Sequence, residues 1–220
     1  MPRDTLTVER IVAAAIELLD AEGLDGLNLR ALGKRLGSAA TAVYWHVENK
    51  DNLVRLAADS VWSEVELPDY EAVGWRAAAT TMANSLHAML TRHPWIGQAF
   101  GSYLIYGAGK ARHDDHGMAV FENAGFAPDE ADKALATVFI FVLGFALGRA
   151  AEVSLTRRLR KDGADPEQAM ADTVAKAGMA FPRLRRRLLK EPEPGYLDAP
   201  DDTFEYAVEA ILDGLEARLP

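Results

Sequence analysis

The sequence predicts an all-α protein of about nine or ten helices. Apolar residues recur at three- and four-residue spacing along most of the chain, and no stretch sustains a period-two alternation. Gly, Pro and Asn punctuate these stripes at helix-length intervals. The chain has 220 residues, enough for one large domain or for a small domain joined to a larger one. Apolar residues make up 49% and charged residues 26%, the balance of a globular protein with a sizeable core. Cysteine is absent, which excludes disulfides and thiolate metal sites and suits a reducing cytoplasm.

The segment "MPRDTLTVERIVAAAIELLD" carries acids through its apolar part and lacks the apolar core of a signal peptide. The longest uncharged run, "ALATVFIFVLGFALG" (134–148), has fifteen residues. That is short for a membrane span and suits a helix buried in protein. The expectation is a soluble, cytoplasmic protein with no membrane partner. Net charge is −9, which argues against polyanion binding by the molecule as a whole. Residues 28–56 depart from this balance, with five basic residues (Arg30, Lys34, Arg35, Lys50, Arg55) against two acids (Glu48, Asp51).

Taken in order, Thr7 is placed to cap a first helix with Glu9 in its first turn, and Gly23 stops it. Asn28 caps a second helix, "LRALGKRL", which buries Leu29, Leu32 and Leu36 and exposes Arg30, Lys34 and Arg35. After Gly37, "SAATAVYWHV" forms a third short helix, and Asn49 caps a fourth that runs to about Glu66. Two short helices joined by a Gly-containing turn, behind a longer one, form the helix-turn-helix pattern. In that motif the second short helix enters the major groove, so its exposed positions must be small or polar. Ala39, Ala40, Thr41 and Ala42 meet that demand, while Val43 and Val47 pin the helix to its neighbours. Tyr44 and His46 emerge at the groove edge, where a phenol or imidazole can bond phosphate. Trp45 is expected to be core.

"NLRALGKRLG…TAVYWHVENKDNL" resembles the DNA-binding domain of the TetR family of bacterial repressors, over roughly residues 8–58. The Tyr-Trp-His-Val run followed by Asn49-Lys50 is its most specific part. The resemblance implies that Arg30 reaches a base, and that Thr41, with Ala40 and Ala42, sits against base edges. It implies backbone positions for Tyr44, His46 and Lys50. Three places differ from the family pattern. Ser38-Ala39 precedes the recognition helix, so its cap either shifts to Ser38 or is weak; Glu48 stands where a basic residue is common; Leu29 replaces a hydroxyl residue.

Beyond Glu66, "LPDYEAVG" breaks the pattern before a fifth helix at 75–91, and "RHPWIGQAFG" is a second break. "SYLIYG" and "ARHDDHGMAVFENAGF" continue as helical segments, ending at Gly125. A long helix follows, with Asp129 or a near neighbour as its cap. Leu135, Val138, Phe139, Val142 and Ala146 form one apolar face, and Ile140, Leu143, Leu147 and Ala151 a second. A helix apolar on two sides is buried on both. The C-terminal helix carries a core stripe (Phe204, Val208, Ile211, Leu215) and a small-residue stripe (Ala207, Ala210, Gly214, Ala217). By the family resemblance these two helices make a homodimer.

The expected organisation is a DNA-binding domain over residues 1–60 and an effector-binding and dimerisation domain over 61–220. Trp95, Phe100, Tyr103, Tyr106, Phe121 and Phe139 are the candidate ligand contacts. The basic runs at 157–161 and 183–187 read as solvated faces. "HDDH" (113–116) has metal-ligand types, but adjacent helical residues point apart, so it reads as a polar face. No metal or other cofactor is expected, and no Gly-rich phosphate loop or Ser/His/Asp arrangement suggests an enzyme. Tetracycline-binding members of the family use a histidine and magnesium after the sixth helix. This chain has no matching histidine near Gly101, so tetracycline is not implied. The reading is a sequence-specific regulator, a repressor that binds a palindromic DNA operator as a dimer and is released by a small apolar or aromatic ligand. The alternative is a helical ligand-binding or enzymatic protein with a vestigial helix-turn-helix.

Overall fold

A computed structural model describes residues 6–188 and 202–219 of the chain. The described residues form twelve α-helices and no strand. They divide into two compact units, cut after Ala150 and again before Ile211.

In the first unit, α1 (Val8–Gly26) is capped by Thr7, whose hydroxyl accepts from Arg10 N at 3.4 Å. Its continuous helical geometry breaks at Gly23 (φ 74°), where the sequence places the stop. Asn28 caps α2 (Leu29–Arg35), accepting from Ala31 N at 2.7 Å. Leu32 is fully buried there, while Leu29 and Leu36 are only half-buried. Next comes α3 (Ala40–Val47), then α4 (Lys50–Val61), capped by Asn49 and extended by a single 3₁₀ turn, Trp62–Glu64.

The α2–α3 turn depends on Gly33. A Cβ there would lie 2.8 Å from Ser38 O and 3.1 Å from Ala40 N. Backbone cannot yield to that approach as a flexible side chain can, so the position is sterically reserved for glycine. The start of α3 has no side-chain cap. Ser38 Oγ instead turns back on Leu36 O at 3.5 Å, so the weak-cap reading holds.

Several expected boundaries move. The first break contains a one-turn helix, α5 (Tyr70–Val73), before α6 (Trp75–Arg92). The second contains α7 (Trp95–Phe100), so Pro94 starts a helix here as well as ending one. "SYLIYG", expected to be helical, is an irregular loop instead. Gly101 precedes it and Gly107 ends it, and Leu104 and Tyr106 are exposed. The helix α8 (Ala108–Ala124) ends on Gly125 in the left-handed region (φ 108°).

The long helix α9 (Pro128–Lys161) starts with Pro at its first position and Asp129 and Glu130 in its first turn. Ala131, Ala134, Val138, Val142, Ala146 and Ala150 are buried, while Ile140 is 66% exposed and Leu147 40%. By length and composition this helix could also cross a membrane, which the fifteen-residue uncharged run did not suggest.

The second unit holds the last turns of α9, α10 (Pro166–Gly178) capped by Asp165, and α11 (Pro182–Leu188) packed on α10. The basic residues Arg157, Arg158, Arg160, Lys161, Arg183, Arg185 and Arg186 are exposed on helices; the Arg187 side chain lies outside the described residues. The last helix, α12 (Thr203–Glu216), begins in the second unit and ends in the first. Phe204, Val208 and Leu212 are buried, whereas Ile211 and Leu215 are half-buried. The buried stripe is therefore rotated slightly from the expected one.

Gly33→Ala should destabilise the chain by about 1–3 kcal/mol, the range for overpacking a tight contact. Denaturant unfolding measures this, and wild-type stability would show that the α2–α3 approach is looser than described.

Candidate nucleic-acid interface and ligand cavity

On α3, Val43 and Val47 are fully buried. At 100° per residue the opposite face carries Thr41, Tyr44, Trp45 and Glu48, all exposed. Tyr44 is 54% and Trp45 88% exposed, so the expectation that Trp45 is core fails. The two valines fix the rotation of the helix, and their spacing already pointed Trp45 outward. His46 is exposed on the flank, and Ala40 and Ala42 are half-buried beside Thr41. Arg30 is exposed in the first turn of α2. Lys50 is engaged within the chain, donating from Nζ to Leu24 O at 2.7 Å.

Glu48 closes α3 with φ 62° and ψ −52°, a conformation rare for a side-chain-bearing residue. Asn49 N donates across it to Val47 O at 2.6 Å, forming a γ-turn. The turn is held from the next helix: Asn49 Oδ1 accepts from Asn52 N at 2.8 Å, and Asn52 Nδ2 donates to Val47 O at 3.2 Å. Thus α4 fixes the end of α3.

The far end of α4 meets the start of α8. Asp59 Oδ1 accepts from Gly109 N at 2.7 Å, placing a carboxylate at the positive end of α8. Trp62, just past α4, is 1% exposed and lies against α8 residue His113, with ring centroids 5.1 Å apart. A small, partly open pocket has His113 in its wall. Met82 and Leu86 line it from α6, His113, Val120 and Phe121 from α8, and Val138 and Phe139 from α9. The lining is almost wholly apolar, as small-molecule sites generally are.

Of the expected ligand contacts, Phe121 and Phe139 line this cavity. Phe100 packs edge-on against Phe139 at 6.0 Å, one layer out. Tyr103 is half-buried and Tyr106 is 57% exposed, both in the irregular loop. Trp95 lies outside the cavity, with its indole N–H donating to Asp20 Oδ1 on α1 at 2.8 Å. Sequence reasoning missed His113, Met82, Leu86 and Val138, because a lining residue and an ordinary core residue obey the same helical period. The "HDDH" residues separate: His113 faces the cavity, Asp114 pairs with Lys110, and His116 Nε2 lies 2.9 Å from Pro68 O.

A second polar connection joins α1 to the segment after α4. His93 is 6% exposed, with Nδ1 2.7 Å from Asp20 Oδ1 and Nε2 3.1 Å from Glu64 Oε1. Arg92 adds Nε and Nη2 on Glu64 Oε2 at 3.0 and 2.6 Å. Burial raises the Glu64 carboxyl pKa, but hydrogen bonds and charge from His93 and Arg92 outweigh it and hold the group below the ordinary carboxylate range.

A helix-turn-helix that presents an outward face, joined through one helix to an apolar cavity, defines a DNA-binding regulator with a ligand-binding domain. The chain matches the model for bacterial regulatory proteins of the tetR family over residues 11–57. It also matches the tetracyclin repressor-like C-terminal domain over residues 67–219. It is 32% identical to the HTH-type transcriptional repressor DrrR1 of Streptomyces coeruleorubidus, over 98% of this chain and 79% of that protein. Identity to the class A tetracycline repressor from transposon 1721 of Escherichia coli is 29%, over 94% of this chain and 89% of that protein. The Streptomyces coelicolor TetR family protein ActR, in complex with actinorhodin, superposes with a TM-score of 0.75 at 27% identity, over 97% of this chain and 98% of that one. The chain belongs to the tetR family.

Asp20→Ala would leave two buried donors, Trp95 Nε1 and His93 Nδ1, without their acceptor, and should destabilise the chain by about 1–3 kcal/mol. The depressed Glu64 carboxyl contributes stability above the ordinary carboxylate range, and that contribution is lost as pH falls through its lowered value. Acid unfolding curves of wild type and Glu64→Gln should therefore converge at low pH. Curves separated equally at every pH would remove Glu64 from this account.

Proposed function

We propose that this chain is a homodimeric transcriptional repressor, and not an enzyme, acting on DNA in the cytoplasm. Residues 1–60 bind a palindromic operator, and residues 61–220 bind a small apolar or aromatic effector and form the dimer. The single observation that carries this reading is α4, which fixes the DNA-facing helix at one end and borders the cavity at the other.

Thr41, with Ala40 and Ala42, meets base edges; Arg30 reaches a base from α2; and Tyr44, Trp45, His46 and Lys50 flank the groove. Lys50 can reach phosphate while bonded to Leu24 O, since an ammonium has three donors. Two recognition helices in a dimer reach successive major grooves when they lie about 34 Å apart. An effector that prefers a conformer with another spacing must weaken DNA binding by the same factor. A hundredfold preference corresponds to about 2.7 kcal/mol. The naming of DrrR1 as a repressor and the actinorhodin complex of ActR support repression and a small-molecule effector.

The dimer surface is the uncovered apolar face of α9, with Ile140 and Leu147, together with the part of the small-residue stripe at Gly214 of α12 and at Ala217. A Cβ at Gly144, Gly148 or Gly214 would meet nothing within 4 Å. That openness suits close approach by a second copy. The buried opposite face of α9 fits a packed protein helix better than a lipid-exposed one.

The direct test is a gel shift on the DNA upstream of the chain's own coding sequence, followed by competition with random DNA. Arg30→Ala should weaken specific binding by about 1–3 kcal/mol and relax one base preference per half-site. Tyr44→Ala should weaken binding uniformly across sequences. If both variants bind like the parent, this docking face is wrong. Gly214→Trp should leave the fold intact but give monomers in sedimentation and abolish palindrome binding. An unchanged dimer would put the interface elsewhere.

A further inference from the structure

Behind the apolar lining of the cavity, against Phe139 and His113, lies a polar corner that the fold leaves partly unsatisfied. Trp62 is 1% exposed, yet its indole Nε1 has no hydrogen-bond partner among the described residues. Buried polar groups are nearly always bonded, so such a donor calls for an acceptor. Its ring stacks on Phe139 with centroids 6.3 Å apart and lies 5.1 Å from His113, and both of these line the cavity. Lys110 reaches the same corner from α8. It is 8% exposed, with Nζ 4.4 Å from the Phe139 centroid and 5.4 Å from that of Trp62. Two buried donor groups thus meet around one aromatic ring of the cavity wall.

The charge of the corner narrows the ligand further. Lys110 is paired with Asp114, and His113 Nδ1 lies 3.2 Å from the same carboxylate oxygen. Burial raises the Asp114 pKa, but the His113 and Lys110 hydrogen bonds and charges outweigh it and keep the carboxyl below its ordinary range. The Lys110 charge is therefore already balanced. A ligand carboxylate would face Asp114 in a poorly screened setting, where like charges repel strongly. A carbonyl oxygen accepts hydrogen bonds and brings no charge. Lys110 retains donors for it, because an ammonium has three and Asp114 is its one acceptor among the described residues.

We propose that the cavity takes an uncharged aromatic carbonyl compound, whose carbonyl oxygen accepts from Trp62 Nε1 and Lys110 Nζ while its flat body lies between Phe121, Phe139, Met82 and Leu86. The proposal rests on reading this cavity as the effector site, and it names the chemistry of the effector. It also places the ligand's polar contact on the residue that directly follows α4. An acceptor bound there acts on the helix whose other end holds α3.

Calorimetric titration of the full chain with three probes of similar shape tests this: 2-acetonaphthone (neutral carbonyl), 2-ethylnaphthalene (no acceptor) and 2-naphthoate (charged acceptor). The ketone should bind at least tenfold more tightly than the hydrocarbon and more tightly than the carboxylate. Trp62→Phe and Lys110→Met should each reduce the ketone's advantage over the hydrocarbon severalfold. In ¹⁵N spectra of wild type, the indole N–H signal that Trp62→Phe removes should move downfield with the ketone and not with the hydrocarbon. This readout does not depend on the variants' stability. Equal binding of ketone and hydrocarbon, or tightest binding of the carboxylate, overturns the proposed ligand class while leaving the effector cavity in place. Failure of all three probes to bind counts against both readings.

Discussion

The contact on which the rest depends is the seat of α4 on the start of α8. A Cβ at Gly107 would lie 2.4 Å from Asp59 Oδ1, and a Cβ at Gly109 would lie 2.6 Å from Asp59 O and 2.7 Å from Trp62 Cβ. Two side-chain-free positions therefore let the backbone of α8 approach α4 closely enough for Gly109 N to donate to Asp59. Because interiors are close-packed, the two glycine positions leave no slack at this seam, and the placement of α4 is tied to that of α8. At its other end, α4 is tied to the end of α3 by the Asn49–Asn52–Val47 bonds. The strained backbone of Glu48 lies at that junction, one turn past Tyr44 and Trp45.

The second tie, from Asp20 through His93 to Glu64, has a different character. It is built from directional bonds between partly buried ionisable groups, with the Trp95 indole as a fourth member. Removing one partner leaves the others buried and unmatched, so the network acts as a unit. It fixes α1 relative to the segment after α4, while the Asp59 seat fixes α4 relative to α8. With both in place, the helix-turn-helix is held at two separate points.

The long helix α9 shows how one element serves two surfaces. Its buried face is mostly alanine and valine, and Phe139 lines the cavity from its flank. Its other face leaves Ile140 and Leu147 to solvent in the single chain. Apolar surface of that kind is normally covered by a partner.

The sequence by itself determined what is local. Thr7, Asn28 and Asn49 cap helices where the pattern places them, and Gly23 and Gly125 end helices, because capping and left-handed backbone depend on neighbours within one turn. The helix-turn-helix was legible for the same reason, since its turn lies within a few residues of both helices. Only the tertiary structure decided what most of the aromatic side chains meet; Trp45 is the exception, turned outward by the Val43–Val47 spacing on its own helix. Trp45 and Trp95 are both large and apolar, yet one faces solvent and the other bonds Asp20, 75 residues away in sequence. Whether an aromatic lines the cavity, as Phe139 does, or packs behind it, as Phe100 does, depends on how far apart α6, α8 and α9 are held. Trp62 and Lys110 carried no signal at all in the sequence. They are neighbours because α4 and α8 meet at glycines, and close approach between helices distant in sequence is set by packing rather than by either helix alone.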